Sequence, residues 1–174
     1  MRNSVLLLAM GMMLATGQPG LADDAELIAN TKADHEENGR WYTSDDIPTY
    51  KIAEDGTVDW PTFSGFRRYN AECFQCHGPD GAGGSYAPAL ATSVMAIDYY
   101  KFYETVVNGK QEVNASQNLV MPALGENKNV MCYLDDIYTY LRARGTGDLG
   151  RGRPAKKEKK TDAFVENENA CMGE

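Results

Sequence analysis

The sequence predicts a mainly α fold with about three core helices. Two observations carry this. Apolar residues recur at three- and four-residue spacing in three separate stretches, each bounded by helix start and stop signals. Strand signals, by contrast, are confined to one hairpin pattern, and no parallel-sheet pattern is present.

Taken in order, residues 1–22 read as an export signal. Arg2 supplies the positive start, Val5 to Leu14 is an uncharged apolar run, and Gly20-Leu21-Ala22 offers small residues for cleavage. That run is too short to span a bilayer, which takes roughly 20 apolar residues. Residues 23–60 form an N-terminal extension. Asp23 to Gly39 is polar and reads as a loose leader or short helix, and "YKIAEDGTVDW" reads as a hairpin turning at Asp55-Gly56. Residues 61–146 form the main domain. Its first helix begins after Pro61 and buries Phe63, Phe66, Tyr69 and Cys73. The second is "DYYKFYETVVNG", capped by Asp98 and stopped at Asn108-Gly109. The third is "NVMCYLDDIYTYLRARG", with Arg142 and Arg144 near its end and Gly145 beyond. Residues 147–174 read as a polar, irregular tail. Helices this short with connections this long rarely make a good core unaided, so a large apolar cofactor is expected to fill it.

The chain has 25 acidic and 17 basic residues, a net charge of −8. An acidic chain is a poor nucleic-acid binder, because that affinity comes largely from neutralising phosphates. The glycine-rich "GPDGAGGSYAPAL" lacks the Gly-Lys-Ser/Thr ending and preceding strand of a phosphate loop. In an exported chain all four cysteines need partners. Cys73 and Cys76 are a local pair in Cys-Phe-Gln-Cys-His, with His77 directly after. A structural zinc site wants four ligands, and the chain has only two histidines and no second close cysteine pair. A thioredoxin-type motif starts a helix after a strand; this one ends a helix. The third reading, covalent attachment of a c-type haem, has both thiols on one turn as vinyl thioethers and His77 on the iron.

Pro61 to Arg144 resembles a class I cytochrome c. Gly65 and Tyr69 stand where that family lets its N-terminal helix cross the C-terminal one closely, and Tyr140 where the latter offers its aromatic partner. Pro88 and Leu90 in "APAL" match the family's Pro-x-Leu in the haem pocket. The resemblance implies that the Pro88 carbonyl accepts the His77 Nδ1 proton, leaving Nε2 for iron. "NLVMPALG" matches the loop presenting the sixth ligand, which makes Met121 the candidate. Met95 and Met131 are its rivals, since methionine is more often core filler, and an open or His35-ligated iron is the remaining alternative. More narrowly, Tyr50 to Arg153 resembles the four-cysteine, cytochrome c-L-like electron acceptors of pyrroloquinoline-quinone-dependent methanol dehydrogenases, including the lanthanide-dependent form.

The resemblance implies a periplasmic single-haem electron carrier rather than an enzyme. Methanol dehydrogenase would be its donor, and a downstream cytochrome c or oxidase its acceptor. The rivals are a general periplasmic carrier, and a haem enzyme or sensor with an open iron. The basic run "RGRPAKKEKK" is either a docking arm or a solvated tail, and Asn114-Ala115-Ser116 fits a glycosylation acceptor. Cys132 and Cys171 are the two thiols left over. They are expected to bridge and pin the tail; otherwise Cys132 is a buried apolar residue and Cys171 is free or pairs between molecules.

Overall fold

A computed structural model describes residues 28–113 and 118–173. The export signal and Asn114-Ala115-Ser116 lie outside the described residues. The N-terminal part is a three-stranded antiparallel sheet of β1 (His35–Glu37), β2 (Arg40–Tyr42) and β3 (Pro48–Thr49). β1 lies in the stretch expected to be a loose leader or short helix. The signal passed over there is Asn38-Gly39, whose φ values of 51° and 74° suit the tight hairpin turn that Asn-Gly favours. Gly39 has a second reason to lack a side chain: a Cβ there would lie 2.5 Å from Thr161 Oγ1 and 2.8 Å from Phe164 Cβ. The expected turn at Asp55-Gly56 is present in minimal form. It is closed by one antiparallel bridge, Ile52 to Val58, and by Ala53 N–H donating to the Thr57 carbonyl at 2.9 Å.

The core is made by α1 (Trp60–Glu72) packed along α6 (Leu134–Thr146). Asp59 caps α1, accepting from Thr62 N–H at 2.6 Å, and Pro61 occupies the first turn. Where the helices cross, an ideal Cβ on Gly65 would sit 1.8 Å from the Asp136 carbonyl oxygen, so only glycine permits this approach. Tyr140 then fits against Phe66 and Tyr69, with ring centroids 5.7 and 5.5 Å away. Burial of Phe63, Tyr69, Ile137, Tyr140 and Leu141 stabilises the crossing by about 1.5–3 kcal/mol per large side chain.

Between them come α2 (Phe74–His77), α3 (Leu90–Ser93), α4 (Tyr99–Asn108), the hairpin of β4 (Lys110–Val113) and β5 (Asn118–Met121), and α5 (Lys128–Met131). Asp98 caps α4 as expected, accepting from Lys101 N–H at 2.7 Å. The expected third helix is two. It breaks at Cys132 and Tyr133, where Cys132 turns toward Cys171 and Arg68 stacks 3.6 Å above the Tyr133 ring. It also ends later than Gly145, at Gly147, which takes the left-handed conformation. Gly145 is kept within α6 by close approach: a Cβ there would meet the Ala91 carbonyl at 2.4 Å.

The tail is irregular only as far as Thr161. From there Asp162–Met172 forms α7, capped by the Thr161 hydroxyl accepting from Phe164 N–H at 3.2 Å. An 11-residue polar helix is marginal alone. Its stability comes from fully buried Phe164 and from the Cys132–Cys171 disulfide (Cα–Cα 5.7 Å), worth about 4 kcal/mol in the chain-entropy model. The basic run is exposed along most of its length, yet it is tied to the domain. Val58 and Lys157 pair as a parallel bridge, Arg153 and Lys157 lie 5.0 and 5.1 Å from the Phe63 ring, and Lys157 lies 4.8 Å from Trp60. Buried Arg40 joins sheet to helices. Its Nε donates to Asp136 Oδ1 at 2.7 Å, its Nη1 to Asn167 Oδ1 at 2.7 Å, and its Nη2 to the Cys132 carbonyl at 3.3 Å. Sequence reasoning did not find it.

Candidate functional site

The last turn of α1 runs straight into α2. Cys73 N–H donates to the Tyr69 carbonyl at 2.9 Å, and His77 N–H to the Cys73 carbonyl at 3.0 Å. This single turn places both thiols of the motif together. Among the described residues Cys73 and Cys76 are the free cysteines, one half-buried and one exposed. Burial, then neighbouring Glu72 and Cys76, push the Cys73 thiol up to about 12. That is the opposite of the lowered pKa that a reactive redox thiol needs.

His77 is buried at 6% exposure. Its Nδ1 lies 3.0 Å from the Pro88 carbonyl oxygen. A carbonyl only accepts, so Nδ1 carries the proton and Nε2 presents a lone pair. The loop between them is folded back by Gly83 N–H donating to the His77 carbonyl at 2.8 Å. Gly78, at φ 68°, permits this approach, since a Cβ there would lie 2.3 Å from the Gly83 carbonyl. Tyr69 reaches in from α1, donating from its hydroxyl to the Gly78 carbonyl at 2.6 Å and accepting from Gly81 N–H at 3.0 Å. Beyond its packing role, then, Tyr69 stitches the loop to the helix crossing.

Met121 closes β5 opposite Lys110. The chain passes close to Gly109 there: a Cβ on Gly109 would lie 2.5 Å from the Met121 carbonyl and 2.7 Å from Ala123 N. Leu124 and Gly125 N–H then donate to the Val106 and Val107 carbonyls at 3.0 and 3.2 Å, docking the loop on the end of α4. Cys73, Leu90 and Met121 all pack against the one core cluster. Of the rivals, Met131 ends α5 and packs against the same cluster, whereas Met95 Sδ lies 3.3 Å from Arg142 Nη1 and His35 stacks on Tyr42 at 5.7 Å in the N-terminal sheet.

A site built for haem should offer two unpaired thiols on one turn, a tautomer-locked histidine and apolar surface left for the group to cover. The first two are present, and Phe74, flanked by the thiols, is 43% exposed, while Pro88 is exposed. These residues fit the group. Sequence reasoning missed Asp80, which follows this turn in left-handed conformation and binds Arg151 and Gly152 of the tail. The Asp80-Gly81 pair was a turn signal that could have flagged it.

Residues 62–141 match a family model described as cytochrome c oxidase, cbb3-type, subunit III. The chain is 69% identical over 139 residues to cytochrome c-553I of Paracoccus denitrificans, covering 80% of this chain and 62% of that protein. It thus spans less than two thirds of that relative. Cytochrome c-555 of Methylococcus capsulatus is 32% identical over 102 residues, 58% of this chain and 76% of its own length. Among solved structures, the c-type cytochrome XoxG from Methylobacterium extorquens AM1 superposes with a TM-score of 0.76 at 48% identity, covering 85% of this chain and 91% of that one.

Proposed function

The chain belongs to the class I c-type cytochromes and carries covalently bound haem c, and from that premise we propose that it is a periplasmic electron carrier accepting electrons from a methanol dehydrogenase. The observation that carries the reading is the turn that sets two free thiols beside His77, whose Nδ1 proton is held by Pro88. In this reading Cys73 and Cys76 would supply the thioethers, His77 and Met121 would bind the iron, and Pro88 and Leu90 would line the pocket. Bound haem supplies a one-electron Fe(II)/Fe(III) couple, whose potential a thioether ligand raises. The chain's own part is positional. Pro88 orients the His77 ring, Tyr69 anchors the loop behind it, and the Gly109 crossing fixes the backbone at Met121.

The donor is supported by the resemblance of Tyr50–Arg153 to cytochrome c-L-like acceptors of pyrroloquinoline-quinone-dependent dehydrogenases, and by the likeness to XoxG. Electrons would pass on to a downstream cytochrome c or oxidase. Among the described residues no helix is long and apolar enough to cross a membrane. A net charge of −8 implies association rates that salt can tune. Purified methanol dehydrogenase with methanol is expected to reduce the oxidised cytochrome at a rate that falls as salt rises. No reduction by that enzyme, alongside rapid reduction by another donor, would make the protein a general carrier instead. For the ligation, Met121→Ala is expected to abolish the near-infrared sulfur-to-iron charge-transfer band of the oxidised protein. Loss of the band in Met95→Ala or Met131→Ala, and not in Met121→Ala, would move the ligand.

A further inference from the structure

The tail grips the loop after His77 at one point. Asp80 stands three residues beyond the histidine with φ 58° and ψ 20°, and it is 9% exposed. Its carboxylate accepts from Gly152 N–H at 2.8 Å and from Arg151 Nε at 3.1 Å. Arg144 and the Tyr140 hydroxyl, both from α6, face the same carboxylate. The adjoining residue is fixed from the other side, with Gly81 N–H held by Tyr69 and a Gly81 Cβ excluded by Leu141 Cδ2 at 2.9 Å. One acidic group therefore joins the loop, the C-terminal core helix and the tail.

We propose that Asp80, held by Arg151 and Gly152, is a positioning residue through which the tail fixes the loop after His77 and sets the haem reduction potential. The proposal rests on the reading that Cys73, Cys76 and His77 hold the haem. A fixed anion stabilises the ferric state, and a fixed cation the ferrous state. The two partners are unequally placed: the Asp80 side chain is 10% exposed and that of Arg151 69%. The anion therefore acts through a low-dielectric interior, while the cation is screened by solvent and salt. Burial pushes the Asp80 carboxyl up, but the Gly152 N–H, Arg151 and Arg144 outweigh it and hold the group below its ordinary range, so it carries charge at neutral pH.

The two charges predict opposite effects, which separates the idea from simple loosening of the loop. Asparagine tolerates the left-handed conformation as aspartate does and its Oδ1 still accepts from Gly152 N–H, while its amide nitrogen cannot accept from Arg151 Nε, so Asp80→Asn removes the charge and the Arg151 bond and keeps the backbone anchor. Redox titration of the full-length, haem-bearing protein is expected to show Asp80→Asn about tenfold displaced toward the reduced form, about 59 mV for one electron. Arg151→Gln should move the opposite way by less, and its shift should shrink as salt rises. The double variant should fall between them. Arg151 is exposed, so its variant tests the same idea should Asp80→Asn fold poorly. Shifts of the same sign in both variants, or potentials unmoved while haem stays attached, would overturn the proposal and leave the haem site standing. Haem that extracts freely from the parent protein would overturn both.

Discussion

With Cys73 and Cys76 both replaced by serine, the chain is expected to release its haem completely on acid–acetone extraction, whereas the parent chain keeps it. The two serines preserve the turn, because its hydrogen bonds are between backbone groups: Cys73 N–H to Tyr69, and Cys76 and His77 N–H to Cys73. His77 also keeps its proton on Nδ1 against Pro88, so iron ligation in the native variant can survive and only the covalent tether is tested. Haem staying with the denatured double variant would place the attachment elsewhere. Haem extracting from the parent would remove the tether altogether.

Gly65→Ala should cost the fold about 3 kcal/mol, at the upper end of overpacking, and lower the melting midpoint by about 10 °C. The added methyl would meet the Asp136 carbonyl oxygen at 1.8 Å, its carbon at 2.5 Å and Tyr140 Cβ at 2.9 Å. Two of those three atoms are backbone, so no rotamer change relieves the contact and α1 must lift off α6. Separation would loosen the Tyr140 ring between Phe66 and Tyr69. It would also disturb buried Asp136, whose carboxylate pairs with Arg40. Calorimetry of the holo protein decides it; a midpoint within about 2 °C of the parent would show that the crossing relaxes freely.

What could be read from the sequence was whatever depends on local spacing. The Cys73–Cys76–His77 turn and the Asp98 cap follow from neighbours in sequence, while the close crossing at Gly65 was implied by the resemblance to class I cytochromes c. The Cys132–Cys171 bridge followed from parity, since four cysteines in a chain read as exported leave two beyond the motif. What failed depends on contacts made at a distance. Residues 162–172 look like solvated tail by composition and become helix because Phe164 is buried against the Gly39 turn and Trp60. The break at Cys132 and Tyr133, the Arg40–Asp136 pair and the grip of Arg151 on Asp80 span tens of residues, and no local periodicity encodes them.

The α1–α6 crossing also bears on how the chain reaches its fold. Gly65 and Asp136 are 71 positions apart. Closing a loop of that length costs about 4 kcal/mol in chain entropy before any contact repays it. High sequence separation of this kind slows folding. The disulfide gives no relief, since Cys132–Cys171 lies almost wholly outside the span. Ligation by His77 and Met121 would. It closes the stretch between them and leaves segments of only 12 and 15 residues to bring Gly65 against Asp136. On the proposed ligation, haem attachment is therefore a folding step as well as a loading step, and chains synthesised faster than they are loaded would wait as open, protease-sensitive intermediates.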